Sequence, residues 1–210
     1  MRDITKKVTM KTKILIDNGH GWDTPGKCSP DGTFREYKYT REIARAVVND
    51  LKARGYDAVL LVPEQIDVTL KERVRRVNAW CSKIGTSNVI LISVHVNAAG
   101  NGKWMSARGW SCFTSKGLTK SDALATALYA VAEKQMPSCT FRKEYSDGDP
   151  DWESNFYIIK NTWCRAVLVE NFFMDNKDDL AYLTSEEGRK AIIATHVEGI
   201  IKYLTDNGLS

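Results

Sequence analysis

The chain has 210 residues, enough for one sizeable core, and a formal charge of only +4 from 30 Lys+Arg against 26 Asp+Glu. So small a charge is a weak steering field that suits an anionic surface such as a cell-wall polymer, and it argues for no nucleic-acid partner. No stretch approaches the ~20 apolar residues of a membrane span. The basic start (Arg2, Lys6, Lys7, Lys11, Lys13) is followed by only Ile14-Leu15-Ile16 before Asp17, short of the roughly 7–15 apolar residues of a secretory segment. A soluble chain with no visible signal peptide and no membrane partner is therefore expected.

Ile14-Leu15-Ile16-Asp17 reads as a buried first strand that ends in Asn18-Gly19-His20-Gly21. The Gly- and Pro-rich stretch from Gly21 to Gly32 excludes a long regular element and is a candidate active-site loop. Ile43, Val47, Val48 and Leu51 fall at helical spacing, which predicts an amphipathic helix from about Tyr39 to Arg54 with Gly55 as its stop. Ala58 to Val62 reads as a second strand, Leu70, Val74, Val77 and Trp80/Cys81 mark a second helix, and Val89 to His95 is a third strand. The order strand, helix, strand, helix, strand implies right-handed crossovers and a largely parallel sheet.

Farther along, Gly109 to Thr114 reads as a strand, and a helix is expected from about Thr119 to Met136. Pro137 to Glu153 has no clear period and reads as one long polar surface loop, so no amphipathic plug over a cleft is expected from it. Phe156-Tyr157-Ile158-Ile159 and Ala166 to Val169 read as two more strands, and the last helix runs from about Ser185 to Leu204. Nothing repeats and nothing resembles a linker, so a single domain is expected, with residues 1–12 as an N-terminal tail, 13–205 as the folded unit and 206–210 as a C-terminal tail.

Cys28, Cys81, Cys112, Cys139 and Cys164 are odd in number and contain no Cys-x-x-Cys pair, which points to free thiols. Cys112 and Cys164 lie in or beside apolar runs and read as small buried hydrophobes. The tryptophans divide similarly: Trp80, Trp110 and Trp163 fall within apolar-patterned elements, whereas Trp22, Trp104 and Trp152 lie near loops where a ring could stack on a ligand.

Three apolar runs end in groups that can hold or serve a metal ion: His20, His95 and Glu170. In an open α/β sheet the residues just past the carboxyl ends of strands line the functional crevice. A hydrolytic zinc site needs about three protein ligands and one open position. Either histidine alone would more often be bonded to backbone or packed in a core, but both follow apolar strands in a chain with three histidines. The remaining one, His196, shares helical spacing with Ile192, Ile193 and Ile200 and is expected to be partly buried on the last helix. Spacing leaves the third ligand open among Asp23, Asp31, Glu36 and Glu42. Glu170 ends an apolar run, where an unpaired charge would be costly, so a functional role explains it better.

Taken in order, these segments resemble the zinc-dependent N-acetylmuramoyl-L-alanine amidases, the amidase 3 family. The family's Asp-Pro-Gly-His-Gly stands as Asp17-Asn18-Gly19-His20-Gly21, and its helix-starting Glu with a following Gly-Tyr stands as Glu36 and Gly55-Tyr56. The next segment is Asp67 to Asn78, the Ser-x-His-x-Asn-Ala pattern is Ser93 to Ala98, and the closing Val-Glu is Val169-Glu170 with Asn171 and Asn176 beyond it. The likeness runs from about Lys13 to Leu204. The family's Thr-Arg pair after the second strand is replaced around Val62-Pro63-Glu64, and an Arg before Phe156 has no clear counterpart.

The resemblance implies a mixed, mostly parallel six-stranded sheet between helices, with His20, Glu36 and His95 as zinc ligands and Glu170 as the catalytic carboxylate. It implies a peptidoglycan hydrolase that cuts the amide between N-acetylmuramic acid and L-alanine, acting as a monomer on the wall after export or lysis, as a phage or prophage lysin would. Two other readings compete. A carboxypeptidase-like zinc hydrolase would pair His20 with Asp23, and a non-catalytic wall-binding module would need neither metal nor Glu170.

Overall fold

A computed structural model describes residues 11–100 and 102–209. The expected tail over 1–12 falls mostly outside that range. At the centre is one six-stranded sheet, built from β1 (Lys13–Asn18), β2 (Asp57–Leu60), β3 (Val89–Asn97), β4 (Ser111–Thr114), β5 (Trp152–Glu153) and β6 (Arg165–Phe173). The spatial order is β2-β1-β3-β6-β4-β5. Strands β2, β1, β3 and β6 run parallel, and β4 returns antiparallel to β6 with β5 parallel to β4 at the edge.

The apolar runs form strands because both faces of the parallel block are covered. Ile14, Ile16, Ile90, Ile92 and Val94 point into one core, filled by α1 (Glu36–Ala53), α3 (Asp122–Gln135), α5 (Lys177–Thr184) and α6 (Glu186–Asp206). Leu15, Val89 and Leu91 point into a second core, closed by α2 (Leu70–Ile84) and α4 (Tyr157–Asn161). A strand buried on both sides has no polar face to alternate with, hence the unbroken apolar lettering.

Helix starts carry their own chemistry. Thr69 accepts a hydrogen bond from the Glu72 N–H, Asn176 from those of Asp178 and Asp179, and Ser185 from that of Gly188. At the chain's ends the Thr12 hydroxyl donates to the Leu209 carbonyl at 2.7 Å.

The expected six strands are present, but one of them is a different segment. Tyr157–Asn161 is a single short helix, in which Ile158 and Ile159 both turn into the second core. The sixth strand is β5, inside the stretch expected to be irregular, where Trp152 and Glu153 pair with Phe113 and Thr114. Helix α5 was not expected. His196, expected to be partly buried, is completely buried, and Trp163, expected to pack, is 61% exposed.

Strand β1 and helix α2 are joined by a buried ion pair. The Arg73 guanidinium donates to Asp17 Oδ1 at 2.7 Å, to the Asn18 carbonyl at 2.6 Å and to the Val68 carbonyl at 2.8 Å. It also reaches Asp67 at 3.1 Å, while the Ser93 hydroxyl on β3 donates to Asp17 Oδ2 at 2.6 Å. Removing one partner leaves the other charge buried alone, which typically costs about 3–5 kcal/mol. Arg73→Met is therefore expected to lower the unfolding free energy by that amount, read from urea denaturation midpoints.

Candidate metal centre and active site

The chain order places β2 on one side of β1 and β3 on the other, so a crevice opens between the carboxyl ends of β1 and β3. His20 lies just past the end of β1, and His95 lies near the end of β3. Glu36 is the first residue of α1 and is 1% exposed. Its Oε2 lies 3.4 Å from His20 Nε2, and its Oε1 lies 3.2 Å from His95 Nδ1 and accepts the Val96 N–H at 3.1 Å. One donor atom from each of the three residues falls within 4.8 Å of the others. The two imidazoles meet edge to face, 5.2 Å apart.

The loop that delivers His20 is strained in a way that its neighbours permit. His20 has φ +61, a left-handed conformation that costs a non-glycine residue about 1–3 kcal/mol. The glycines on either side are required by contact. A Cβ at Gly19 would stand 2.4 Å from the His95 ring, and one at Gly21 would stand 2.0 Å from the Asp67 nitrogen. The Gly19 N–H bonds to the Val94 carbonyl at 3.0 Å, and its carbonyl accepts the Thr40 hydroxyl at 3.1 Å.

The other carboxylates near His20 in the sequence point elsewhere. Asp23 accepts the Asp67 N–H at 2.7 Å, Asp31 closes a turn with Ser29 and Thr33, and Glu42 pairs with Arg189 at 3.1 Å. Glu36 is the one of the four that reaches both histidines.

Glu170 sits on β6 directly beside His95 on β3 in the parallel register. The residue is partly buried, and its Oε2 is buried with no hydrogen-bond partner. Burial pushes it up to about 8, helped by the Glu36 charge and opposed by His95 and Lys27. Burial also lowers His20 to about 4, which keeps its imidazole neutral. At His95 burial works the same way, but the hydrogen bond and charge of Glu36, with the charge of Glu170, outweigh it and raise the pKa. Burial would raise Glu36, yet the two histidines and the Val96 N–H hold it below its ordinary value, as a carboxylate.

Two neutral-capable imidazoles, a carboxylate and an orphaned buried oxygen on Glu36 make a donor set suited to a zinc-type cation. His20 and His95 keep 20% and 16% of their side-chain surface exposed. A cavity of about 290 Å³ adjoins them, walled by Asp67, Val68, Leu70 and Ile158 among others.

Behind the centre is a network that residue patterns did not reveal. Asn171 Nδ2 donates to the His95 carbonyl at 3.1 Å, and its Oδ1 accepts from Trp110 Nε1 at 3.1 Å. His196 Nε2 approaches the same oxygen at 3.3 Å, and this oxygen acceptor assigns the proton to Nε2. Helical spacing marked His196 as inward-facing but could not name its partner. Just past Asn171, Phe172 has φ +65 at a shift in the β3/β6 register.

Residues 14–202 match the family described as N-acetylmuramoyl-L-alanine amidase. The chain belongs to this family, whose members hydrolyse peptidoglycan. Among curated relatives, it is 26% identical over 200 residues to an endolysin of Bacillus phage SPP1, covering 93% of this chain and 67% of that protein. It is 26% identical over 194 residues to the amidase CwlM of Bacillus licheniformis, covering 90% and 68%. With the amidase AmiC of Neisseria meningitidis, at 24% identity, it covers 93% of this chain and spans 53% of the relative. The fold agrees with an amidase from Clostridium difficile 630, at TM-score 0.78 and 22% identity over 94% of this chain and 99% of that one. It agrees also with the catalytic domain of CwlV from Bacillus (Paenibacillus) polymyxa, at TM-score 0.76 and 22% identity over 92% and 98%. No helix among the described residues is long and apolar enough to cross a membrane.

The raised Glu170 has a consequence for the metal-free protein. Between the ordinary value of 4.5 and about 8 the folded chain holds a proton that the unfolded chain has released. The contribution of Glu170 to stability then falls as pH rises through that interval. It is set against the opposite contributions of His20 and His196, both lowered to about 4, which add stability up to about pH 6.5. Urea unfolding of chelator-treated protein at about pH 6.5 and about pH 8 is expected to show this loss, and Glu170→Gln should diminish it.

Proposed function

We propose that this chain is a zinc-dependent amidase that cleaves the bond between the lactyl carbonyl of N-acetylmuramic acid and the L-alanine nitrogen of the stem peptide. The observation that carries the reading is the convergence of His20, Glu36 and His95 with Glu170 alongside. Family membership supports the substrate class. We take residues 13–205 as the catalytic unit, with the bacterial wall as its place of action and a monomer as its working form. The SPP1 endolysin among the relatives supports a lysin-like role.

In this reading His20, Glu36 and His95 hold the zinc ion. Zinc bound there would acidify water toward pKa ~7 and polarise the scissile carbonyl. Glu170 accepts the proton released by the attacking water. It then delivers that proton to the departing L-alanine nitrogen as the C–N bond breaks, and ends as the carboxylate that began the cycle. The raised proton affinity of the metal-free site suits the second transfer, in which the group holds the proton until the amine leaves. That affinity would fall beside a divalent charge, which favours the carboxylate that begins the cycle. Glu36 keeps the two imidazoles facing one another, and Asn171 anchors the His95 backbone from behind.

The carboxypeptidase-like reading needs Asp23 beside His20, and that carboxylate is instead engaged by the Asp67 backbone. The binding-module reading leaves Glu170, with its Oε2 buried and unpartnered, without a purpose.

Digestion of purified peptidoglycan is expected to release free L-alanine amino termini, identified by mass analysis of the products; reducing sugar ends alone would refute the amidase. Glu170→Gln should keep its zinc and its fold while losing at least about a hundredfold in the chemical rate, within the ~10²–10⁴ range of general acid–base catalysis. His95→Ala should lose both zinc and turnover, because an ion with a missing ligand is poorly held. Wild-type hydrolysis by a folded Glu170→Gln protein would overturn the assigned proton carrier.

A further inference from the structure

A second group of oxygen donors lies where the 137–153 segment returns to the sheet. Asp147-Gly148-Asp149-Pro150-Asp151 sets three aspartates at alternate positions, the spacing of the leading ligands in calcium-binding loops. The fold brings Asp149 and Asp151 against Asp122, in the first turn of α3, with one oxygen from each within 4.8 Å of the others. Oxygens on one calcium ion, at about 2.3–2.6 Å from it, can stand up to about 5 Å apart, so a single ion can touch all three.

Aspartates at a helix start need no ligand to explain them, and Asp122 already accepts both the N–H and the hydroxyl of Thr119 at 2.6 Å. Asp151 is different. It is 1% exposed, its Oδ2 accepts the Thr114 hydroxyl at 2.6 Å, and its Oδ1 is buried with no hydrogen-bond partner. Its nearest basic neighbour in sequence, Lys143, is engaged by Glu133. Burial and the facing Asp149 carboxyl push Asp151 up to about 8. A carboxylate in this position requires either a proton or a cation.

We propose that Asp122, Asp149 and Asp151 form a second cation site that takes a hard divalent ion, calcium in preference to magnesium or zinc. All its donors are oxygen, which disfavours zinc. The donors come from a loop and a helix in no regular array, which suits the tolerant coordination of calcium better than the strict octahedron of magnesium. The site is separate from the histidine centre. Ser111, at the start of β4, is the register partner of Glu170, whereas Thr114, which bonds Asp151, is at the opposite end of that strand. An ion there ties the loop to α3 and fixes edge strand β5, which begins at the next residue and pairs with β4.

The test uses the full chain loaded with zinc, so that the histidine centre is filled. Terbium is the probe, since Trp152 adjoins Asp151 and can sensitise its emission on tryptophan excitation. Terbium emission is expected to saturate at one ion per chain and to be displaced by calcium, and calcium should raise the melting temperature. Asp149→Ala, on the less buried aspartate, should weaken terbium binding by at least about tenfold and abolish the calcium-dependent shift while zinc content stays unchanged. Asp151→Asn should do the same. A wild-type chain with no calcium-displaceable terbium signal and no calcium-dependent melting shift, or a signal that survives Asp149→Ala, would overturn the site. In the first case a proton shared between Asp149 and Asp151 would be the explanation. Because the Asp149 variant leaves the histidines untouched, failure here and failure of the zinc reading are distinguishable.

Discussion

The buried pairing of Asp17 with Arg73 is the constraint on which the cleft depends. Taking two opposite charges out of water costs more than their attraction returns unless the remaining donors and acceptors are satisfied. Here they are: both Asp17 oxygens and most of the guanidinium have partners drawn from β1, β3, α2 and the loop at Asp67 and Val68. A packed apolar contact would tolerate sliding by a fraction of a residue, but this fork of hydrogen bonds does not. It fixes the point where the chain leaves β1, and the next three residues are the glycine, histidine and glycine that pass within contact of His95 and Asp67. The strain at His20 is sustained by that anchorage together with the bonds to both Gly19 backbone groups.

Much of this was legible in the lettering, for a specific reason. Central parallel strands are buried on both faces, so they appear as apolar runs, and the polar residue that ends each run is already at the rim of the crevice. His20, His95 and Glu170 could be found that way. Glu36 could not, because a carboxylate in the first turn of a helix serves the helix dipole equally well. Only its place in a longer motif separated it from Asp23, Asp31 and Glu42, and the geometry then matched it to both histidines.

The misreadings have equally physical causes. A run of four apolar residues such as Phe156 to Ile159 fits a short strand or one turn of helix, and no periodicity can be measured over so few positions. What decides is whether a neighbouring strand offers free backbone groups, and beside β4 that place is taken by Trp152 and Glu153. Two residues in a polar, Gly- and Pro-containing stretch carry no strand signal of their own. Helix α5 did have a signal in the Asn176 cap followed by two aspartates, but it is short and abuts α6 at Ser185. The tie from α6 to the centre through His196 and Asn171 was invisible because burial can be inferred from a pattern and a partner cannot.

The residues of the cleft enter it in a fixed order along the chain: first the exit of β1, then the first residue of α1, then the end of β3. Glu170 comes last, on β6, which pairs with β3 beside His95. A fragment that ends between β3 and β6 would contain both histidines and Glu36 and lack the wall of the crevice that carries Glu170. The same late strand brings Asn171, without which the backbone carrying His95 has no support from behind. Glu170 and the side chain that braces His95 are thus neighbours on one strand, and a cut anywhere between β3 and β6 parts both from the two histidines at once.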